Sequence, residues 1–274
     1  MTEQELTIIA LKLATEIKYS GITVDEDEIR FDFQNDSDND IIKLASYKLN
    51  CSKFKNNVYW FGYQFEKSAT SKQRTDFINY IKGIGGKKIP DTVLRKFIEL
   101  PMTALSSKIN TYHIDAFVYP VSGRSPLVQK MFKVVAEWLQ RKVKYCSFEL
   151  VKKAPTDIQF DWELFHEDNF NNPNYQQMVK HVKESILPAI KELDYFSLAH
   201  NVKPKYRPYI TNYLGFPDSS KLEEFSKLKG KNILLIDDIN TSGATLHEIL
   251  RILNNVNDKC NIYIYTLLGK DNGI

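Results

Sequence analysis

Residues 233–245 read Ile-Leu-Leu-Ile-Asp-Asp-Ile-Asn-Thr-Ser-Gly-Ala-Thr, and their reading decides the fold. The run Asn232 to Ile236 is short and mostly apolar, the pattern of a buried strand in a parallel sheet. Asp237 to Thr245 is a polar turn. Leu246, Ile249, Leu250 and Leu253 then recur at helical spacing and give one apolar face. Asn261 to Leu268 (NIYIYTLL) closes as another strand. Strand, turn, helix and strand form a βαβ unit. Such units build parallel sheets with ligands at the carboxyl ends of the strands.

The turn has the chemistry of an anion site. Where a helix begins, backbone N–H groups lack intrahelical partners and the dipole favours negative charge. Gly243 removes the side chain that would block close approach. Thr241, Ser242 and Thr245 add hydroxyl donors, and the segment from Thr241 through Gly243 and Ala244 to Thr245 makes a phosphate cradle. Beside it, Asp237 and Asp238 accept hydrogen bonds and can hold sugar hydroxyls or hydrated Mg²⁺. A phosphate cradle beside diol acceptors suits a ribose 5-phosphate. The same residue types are ordinary helix caps, so the weight rests on the whole run. A Walker B strand also ends in acidic residues, but no Walker A loop exists. Gly86-Lys87-Lys88 is preceded by Ile81 where a glycine is needed, and no Ser or Thr follows Lys87.

A second strand-to-helix turn lies upstream. Asp115 to Pro120 reads as a strand, and Val121-Ser122-Gly123-Arg124-Ser125 as a loop. A helix follows, with Ser125 as N-cap, Pro126 at the first helical position and a face of Leu127, Met131, Val134, Val135 and Trp138. The loop can bind an anion by the same physics, Arg124 adding charge and Gly123 giving access. Elsewhere, Leu6, Ile9, Leu13 and Ile17 predict a helix from about Glu3 to Tyr19. Val58 to Phe65 predicts an aromatic strand whose default role is core packing. Phe77, Ile78 and Ile81 predict a helix broken by Gly83, Gly85 and Gly86. A strand is expected around Tyr145 to Val151, and a helix from about Tyr175 to Leu193 within a polar, Asn-rich stretch. The acidic residues 25–28 and 36–40 read as solvated loop, since Ile41 and Tyr47 stand where a calcium loop needs Gly and Glu.

Composition is that of a globular protein. The chain has 274 residues, 43% of them hydrophobic, 26% charged and 12% aromatic. Its net charge of +3, from 37 basic and 34 acidic residues, argues against nucleic acid as a partner. No apolar run approaches the ~20 residues of a membrane helix, so no membrane partner is expected. Met1 to Glu5 is polar and acidic, unlike a secretory signal. Cys51, Cys146 and Cys260 are too far apart for a zinc finger and predict free, buried thiols in a reducing cytoplasm.

The run ILLIDDINTSGAT resembles the phosphoribosyl-pyrophosphate motif of the type I phosphoribosyltransferases. The resemblance implies an α/β fold, a parallel sheet flanked by helices. It implies that Asp237 and Asp238 contact the ribose hydroxyls, and that Thr241, Ser242, Gly243, Ala244 and Thr245 hold the 5-phosphate. Val121, Ser122, Gly123 and Arg124 would bind pyrophosphate, Arg124 serving catalysis with the two aspartates. The expected reaction is Mg²⁺-dependent transfer of ribose 5-phosphate from phosphoribosyl pyrophosphate to a nitrogen base or amine, with Mg²⁺ held mainly by the ligand. A homodimer is common in the family.

Within that family the chain is most similar to the ComF-type competence phosphoribosyltransferases. The similarity rests on the aromatic strand YWFGYQF, Tyr80-Ile81-Lys82, Pro120-Val121-Ser122, Lys152, Arg207, Asn212 and Gly215-Phe216. Lys152 and Arg207 are then candidates for a flexible active-site loop. The zinc module of many ComF proteins is missing, and an insertion at about 155–200 falls where the family has its flexible loop. The expected organisation is an accessory element over 1–57 and a phosphoribosyltransferase-like domain over 58–274. The hood over the base comes from the accessory element or the insertion. A sensor of phosphoribosyl pyrophosphate or nucleotide on the same fold, regulating a partner in a bacterial conflict or competence system, is the alternative.

Overall fold

The computed structural model describes residues 19–24, 29–32, 44–45, 50–54, 57–65, 70–84, 86, 89–121, 125–139, 146–240 and 242–269. The helix expected from Glu3 and the acidic loops at 25–28 and 36–40 lie outside them. The strands are β1 (Tyr19–Val24), β2 (Ile29–Asp32), β3 (Leu44–Ala45), β4 (Asn50–Phe54), β5 (Asn57–Gln64), β6 (Ala116–Pro120), β7 (Cys146–Lys152), β8 (Gln159–Phe160), β9 (Ile210–Thr211), β10 (Leu214–Gly215), β11 (Asn232–Ile239) and β12 (Asn261–Gly269). The chain forms two compact units. One holds residues 1–148, 230–241 and 260–274; the other holds 149–229 and 242–259. Among the described residues, no helix is long and apolar enough to cross a membrane.

In the first unit five strands run in the order β4-β5-β12-β11-β6. β5, β12, β11 and β6 are mutually parallel, and β4 closes the edge antiparallel to β5. Parallel strands covered on both faces need apolar runs rather than alternation, and Ile233 to Ile236 are all fully buried. Their register sets Ile233 opposite both Ala116 and Ile262, and Asp237 opposite Thr266. A separate small antiparallel sheet pairs β1 with β2 and β3.

Helices Ser71–Lys82, Asp91–Glu99, Met102–Thr111 and Leu127–Leu139 pack on this sheet. In Asp91–Glu99 the buried residues are Leu94, Phe97 and Ile98, one face at helical spacing. The aromatic strand is core, as its composition suggests. Tyr63 stacks on Phe97 at 4.2 Å, and Trp60 on Tyr263 at 5.6 Å. Ser125 caps its helix as expected, its Oγ accepting from the Leu127 N–H at 3.3 Å.

The close fit of β5 against β12 makes one glycine irreplaceable. A Cβ on Gly269 would lie 2.3 Å from Tyr59 Oη and 2.6 Å from Phe61 Cβ. Gly269→Ala must push aside two fully buried rings. It should cost about 1–3 kcal/mol, read as a lowered midpoint in thermal unfolding.

The second unit shows what periodicity missed. The expected helix is present as Tyr175–His181, a π-helical turn Val182–Ile186 and Leu187–Lys191. Another helix, Trp162–Asn169, precedes it, capped by Asp161, whose Oδ1 accepts from the Leu164 N–H at 2.9 Å. Trp162 and Phe165 stand at helical spacing, but no apolar residue continues the stripe through Asn169, and Phe160 precedes the helix. Their hydrophobic signal comes from a cluster, not a stripe. Phe165 is fully buried, with the rings of Phe160, Tyr175, Tyr206 and Tyr209 at 5.0–6.4 Å. β8 pairs antiparallel with β9, and β10 with β7. Two thiols correct the sequence expectation: Cys146 is exposed at the first residue of β7, and Cys260 is only half-buried just before β12.

Candidate functional site

The acidic pair ends β11 in the first unit. Asp237 and Asp238 keep only 5% and 7% of their surface exposed. Strand pairing fixes the backbone here: Asp237 lies opposite Thr266, and the Asn240 N–H donates to the Leu268 carbonyl at 2.9 Å. The Asp238 N–H donates to Asp237 Oδ1 at 2.9 Å.

Lys82 supplies a charge that the sequence did not assign to the site. Its Nζ is 2.8 Å from Asp238 Oδ2. The lysine is the last residue of the Ser71–Lys82 helix, where a cation complements the helix dipole. Gly83, at φ 67°, ends the helix in the left-handed region. Its N–H donates to the Tyr80 carbonyl, and the Ile84 N–H to the Asn79 carbonyl. This is a Schellman closure. A lysine just before a helix-ending glycine was visible in the sequence, but the partner that β11 brings to it was not.

Behind Asp237 lies a polar contact in the core. Tyr59 Oη and Thr266 Oγ1 are 2.7 Å apart, and both residues are buried. Burial pushes the Tyr59 phenol up to about 12, with Thr266 and Asn240 opposing and Asp237 assisting.

These neighbours set the charge of the pair. Burial first, and then the charge of Asp238, push Asp237 up to about 7, against the pull of Lys82 and the Asp238 N–H. Burial alone would lower the Lys82 ammonium, but the charge and hydrogen bond of Asp238 and the charge of Asp237 raise it overall. The two shifts act on stability in different pH windows. Folded Asp237 keeps its proton where the unfolded chain has lost it, so its contribution falls as pH rises from the ordinary carboxylate range to about 7. Lys82 contributes fully at neutral pH and loses its contribution only as pH climbs through its raised folded value. Asp237→Asn should therefore flatten the dependence of the melting temperature on pH. Relative to wild type it should gain about 3 °C or more between pH ~4 and pH ~8, by calorimetry across that range.

The second half of the run belongs to the second unit. Gly243 stands at the N-cap of the Ala244–Val256 helix with φ 73°, and no side chain caps that end. The first helical bond is from the His247 N–H to the Gly243 carbonyl at 2.8 Å. The N–H groups of Ala244, Thr245 and Leu246 therefore precede the intrahelical ladder. Gly243 and Ala244 are buried, Thr245 is half-buried and Ser242 is exposed. Thr241 lies outside the described residues.

The remaining candidates are placed as follows. Val121 is half-buried just after β6, and Ser122, Gly123 and Arg124 lie outside the described residues. Lys152 stands on β7, where its ammonium donates to Tyr195 Oη at 2.6 Å and the Phe196 carbonyl at 2.9 Å. Arg207 lies in a 3₁₀ turn, Pro204–Tyr209. Its guanidinium donates to the Val202 and Ala199 carbonyls at 2.8 and 2.7 Å. Burial lowers its pKa somewhat.

The family model for the phosphoribosyl transferase domain matches residues 168–273. No curated protein matches the chain. Among solved structures it is similar to a hypoxanthine phosphoribosyltransferase from Staphylococcus aureus, at 14% identity and a TM-score of 0.33. That match covers 65% of this chain and 65% of the other. The fold is α/β, a mostly parallel sheet flanked by helices, and residues 168–273 are similar to a phosphoribosyl transferase domain.

Proposed function

We propose that this chain is a phosphoribosyltransferase. It takes ribose 5-phosphate from phosphoribosyl pyrophosphate, passes it to a nitrogen base or amine, and releases pyrophosphate. One observation carries the reading. Within the stretch that matches the domain model, a buried acidic pair closes β11, and a glycine-led helix start without a side-chain cap follows it in the chain.

Each residue has a role in this reading. Asp237 and Asp238 accept hydrogen bonds from the ribose hydroxyls and orient the ring. The early N–H groups of the Ala244–Val256 helix, with the hydroxyls of Thr241, Ser242 and Thr245, hold the 5-phosphate. Val121 to Arg124 hold the pyrophosphate, and Arg124 offsets the charge that builds on it as the C1–O bond breaks. The transition state has oxocarbenium character. Exclusion of water keeps hydrolysis from competing with transfer.

Among the described residues, no group of three or more His, Cys, Asp or Glu gathers to hold a metal. Asp238 is already paired with Lys82, and Asp237 accepts from a backbone N–H. Mg²⁺ would therefore arrive on the donor's pyrophosphate, with no carboxylate of the pair needed as a direct ligand. When bound, Mg²⁺ neutralises the leaving group.

The ComF-type subgroup remains the reading of Tyr80-Ile81-Lys82 and Pro120-Val121-Ser122, with a cytoplasmic location and a homodimer to match. The test is release of pyrophosphate from phosphoribosyl pyrophosphate across a panel of bases and amines. Turnover lost in Asp238→Asn supports transfer. Binding without turnover on any acceptor supports the sensor reading.

A further inference from the structure

The Ser71–Lys82 helix delivers an ammonium into the acidic pair from a fixed point. Phe77, Tyr80 and Ile81 bury its last turns, and the Gly83 closure ends it at Lys82. Lys82 and Asp238 keep 24% and 10% of their side-chain surface exposed, so their pair is largely withdrawn from water. Asp237, on the same strand, is the charged group that acts on both partners, and it acts in turn on Tyr59 of β5.

We propose that Lys82 reserves the acidic pair for sugar hydroxyls and keeps divalent cations off it. A hydroxyl both donates and accepts. It can donate a hydrogen bond to Asp238 and accept one from a remaining N–H of the ammonium. A divalent cation only takes lone pairs. On Asp238 it would face the ammonium across one carboxylate, and like charges in a part-dry site repel strongly. Mg²⁺ also demands six well-placed oxygens and sheds water reluctantly, while Lys82 already occupies Asp238 Oδ2. Lys82 thus selects by repulsion as well as by attraction. The sugar half of this inference rests on the donor reading above, whereas the cation half does not.

The test uses Mn²⁺ as a paramagnetic stand-in for Mg²⁺, titrated by electron paramagnetic resonance into the full chain with no sugar present. Wild type and Lys82→Arg should leave the acidic pair free of Mn²⁺. Lys82→Met and Lys82→Gln should each gain a site about tenfold or more tighter than any wild type offers, and adding Asp238→Asn should remove it. Two neutral variants guard against one failing to fold, and melting curves identify such a failure. Equal Mn²⁺ binding in wild type and both neutral variants overturns the proposal. So does wild-type Mn²⁺ binding that Asp238→Asn abolishes.

Phosphoribosyl pyrophosphate with Mg²⁺ is then titrated calorimetrically into the same proteins. Affinity about tenfold weaker in Lys82→Met, and largely restored in Lys82→Arg, supports the sugar half. Unchanged affinity in Lys82→Met overturns that half and leaves the donor reading intact. If no protein binds the donor while Mn²⁺ behaves as expected, the donor reading fails and the cation half stands.

Discussion

The double variant Asp237→Asn/Asp238→Asn should lose phosphoribosyl pyrophosphate binding by about a hundredfold or more. At pH ~8, above the range where Asp237 loses its proton, a hydrogen bond from a hydroxyl to a charged acceptor contributes about 1.5–3 kcal/mol, and two such bonds are lost. Each 1.4 kcal/mol is a factor of about ten in affinity, so the lower bound is already two decades. Both residues are more than nine-tenths buried, and water competes poorly for their carboxylates. The substitution also strips Lys82 of its partner. Breaking a buried pair costs about 3–5 kcal/mol, and Lys82 with 24% exposure falls at the low end. Removing the mutual repulsion of the two aspartates offsets part of that. The single variant Asp237→Asn keeps the Lys82–Asp238 pair and separates the two effects. It should fold at least as stably as wild type near neutral pH and still bind more weakly. A double variant that folds, as circular dichroism would show, and binds within a factor of about three of wild type would remove the aspartates from the site.

Phe165→Ala should loosen much of the second unit. Phe165 is fully buried, with four rings packed around it besides Trp162. Truncating a buried phenylalanine costs about 3–5 kcal/mol. The loss should be local, since the first unit has its own core from Trp60 to Leu268. Hydrogen exchange resolved by peptide should show faster exchange across 158–211 and little change in β5, β11 and β12. Protection across 158–211 equal to wild type would mean that the aromatic cluster does not hold this region together. The region includes most of the insertion expected at about 155–200. There it holds an aromatic cluster and short helices.

The sequence made the fold legible where one element's signal is self-sufficient. The apolar run before Asp237, the helical stripe Leu246-Ile249-Leu250-Leu253 and the strand Asn261 to Leu268 each announce themselves. Their order dictates a parallel βαβ unit, and the structure builds it. The aspartates and the glycine-led turn were legible for the same reason, being contiguous in the chain. Lys82 was not. It stands far upstream of Asp238 in sequence, and only the packing of a helix beside β11 makes them partners. Tyr59 and Thr266 are likewise joined by the parallel register of β5 and β12. The helix Trp162–Asn169 was missed because aromatic clustering overrides periodicity there. The exposed Cys146 was misread because residue type predicts average burial and strand position decides the particular case.

The most direct measurement is calorimetric titration of phosphoribosyl pyrophosphate with Mg²⁺ into the wild-type chain. Saturable heat at about micromolar to sub-millimolar affinity, displaced by ribose 5-phosphate with pyrophosphate, is the expected result. No heat and no competition at millimolar ligand would contradict the donor site, and would leave the run from Asp237 to Thr245 as scaffold.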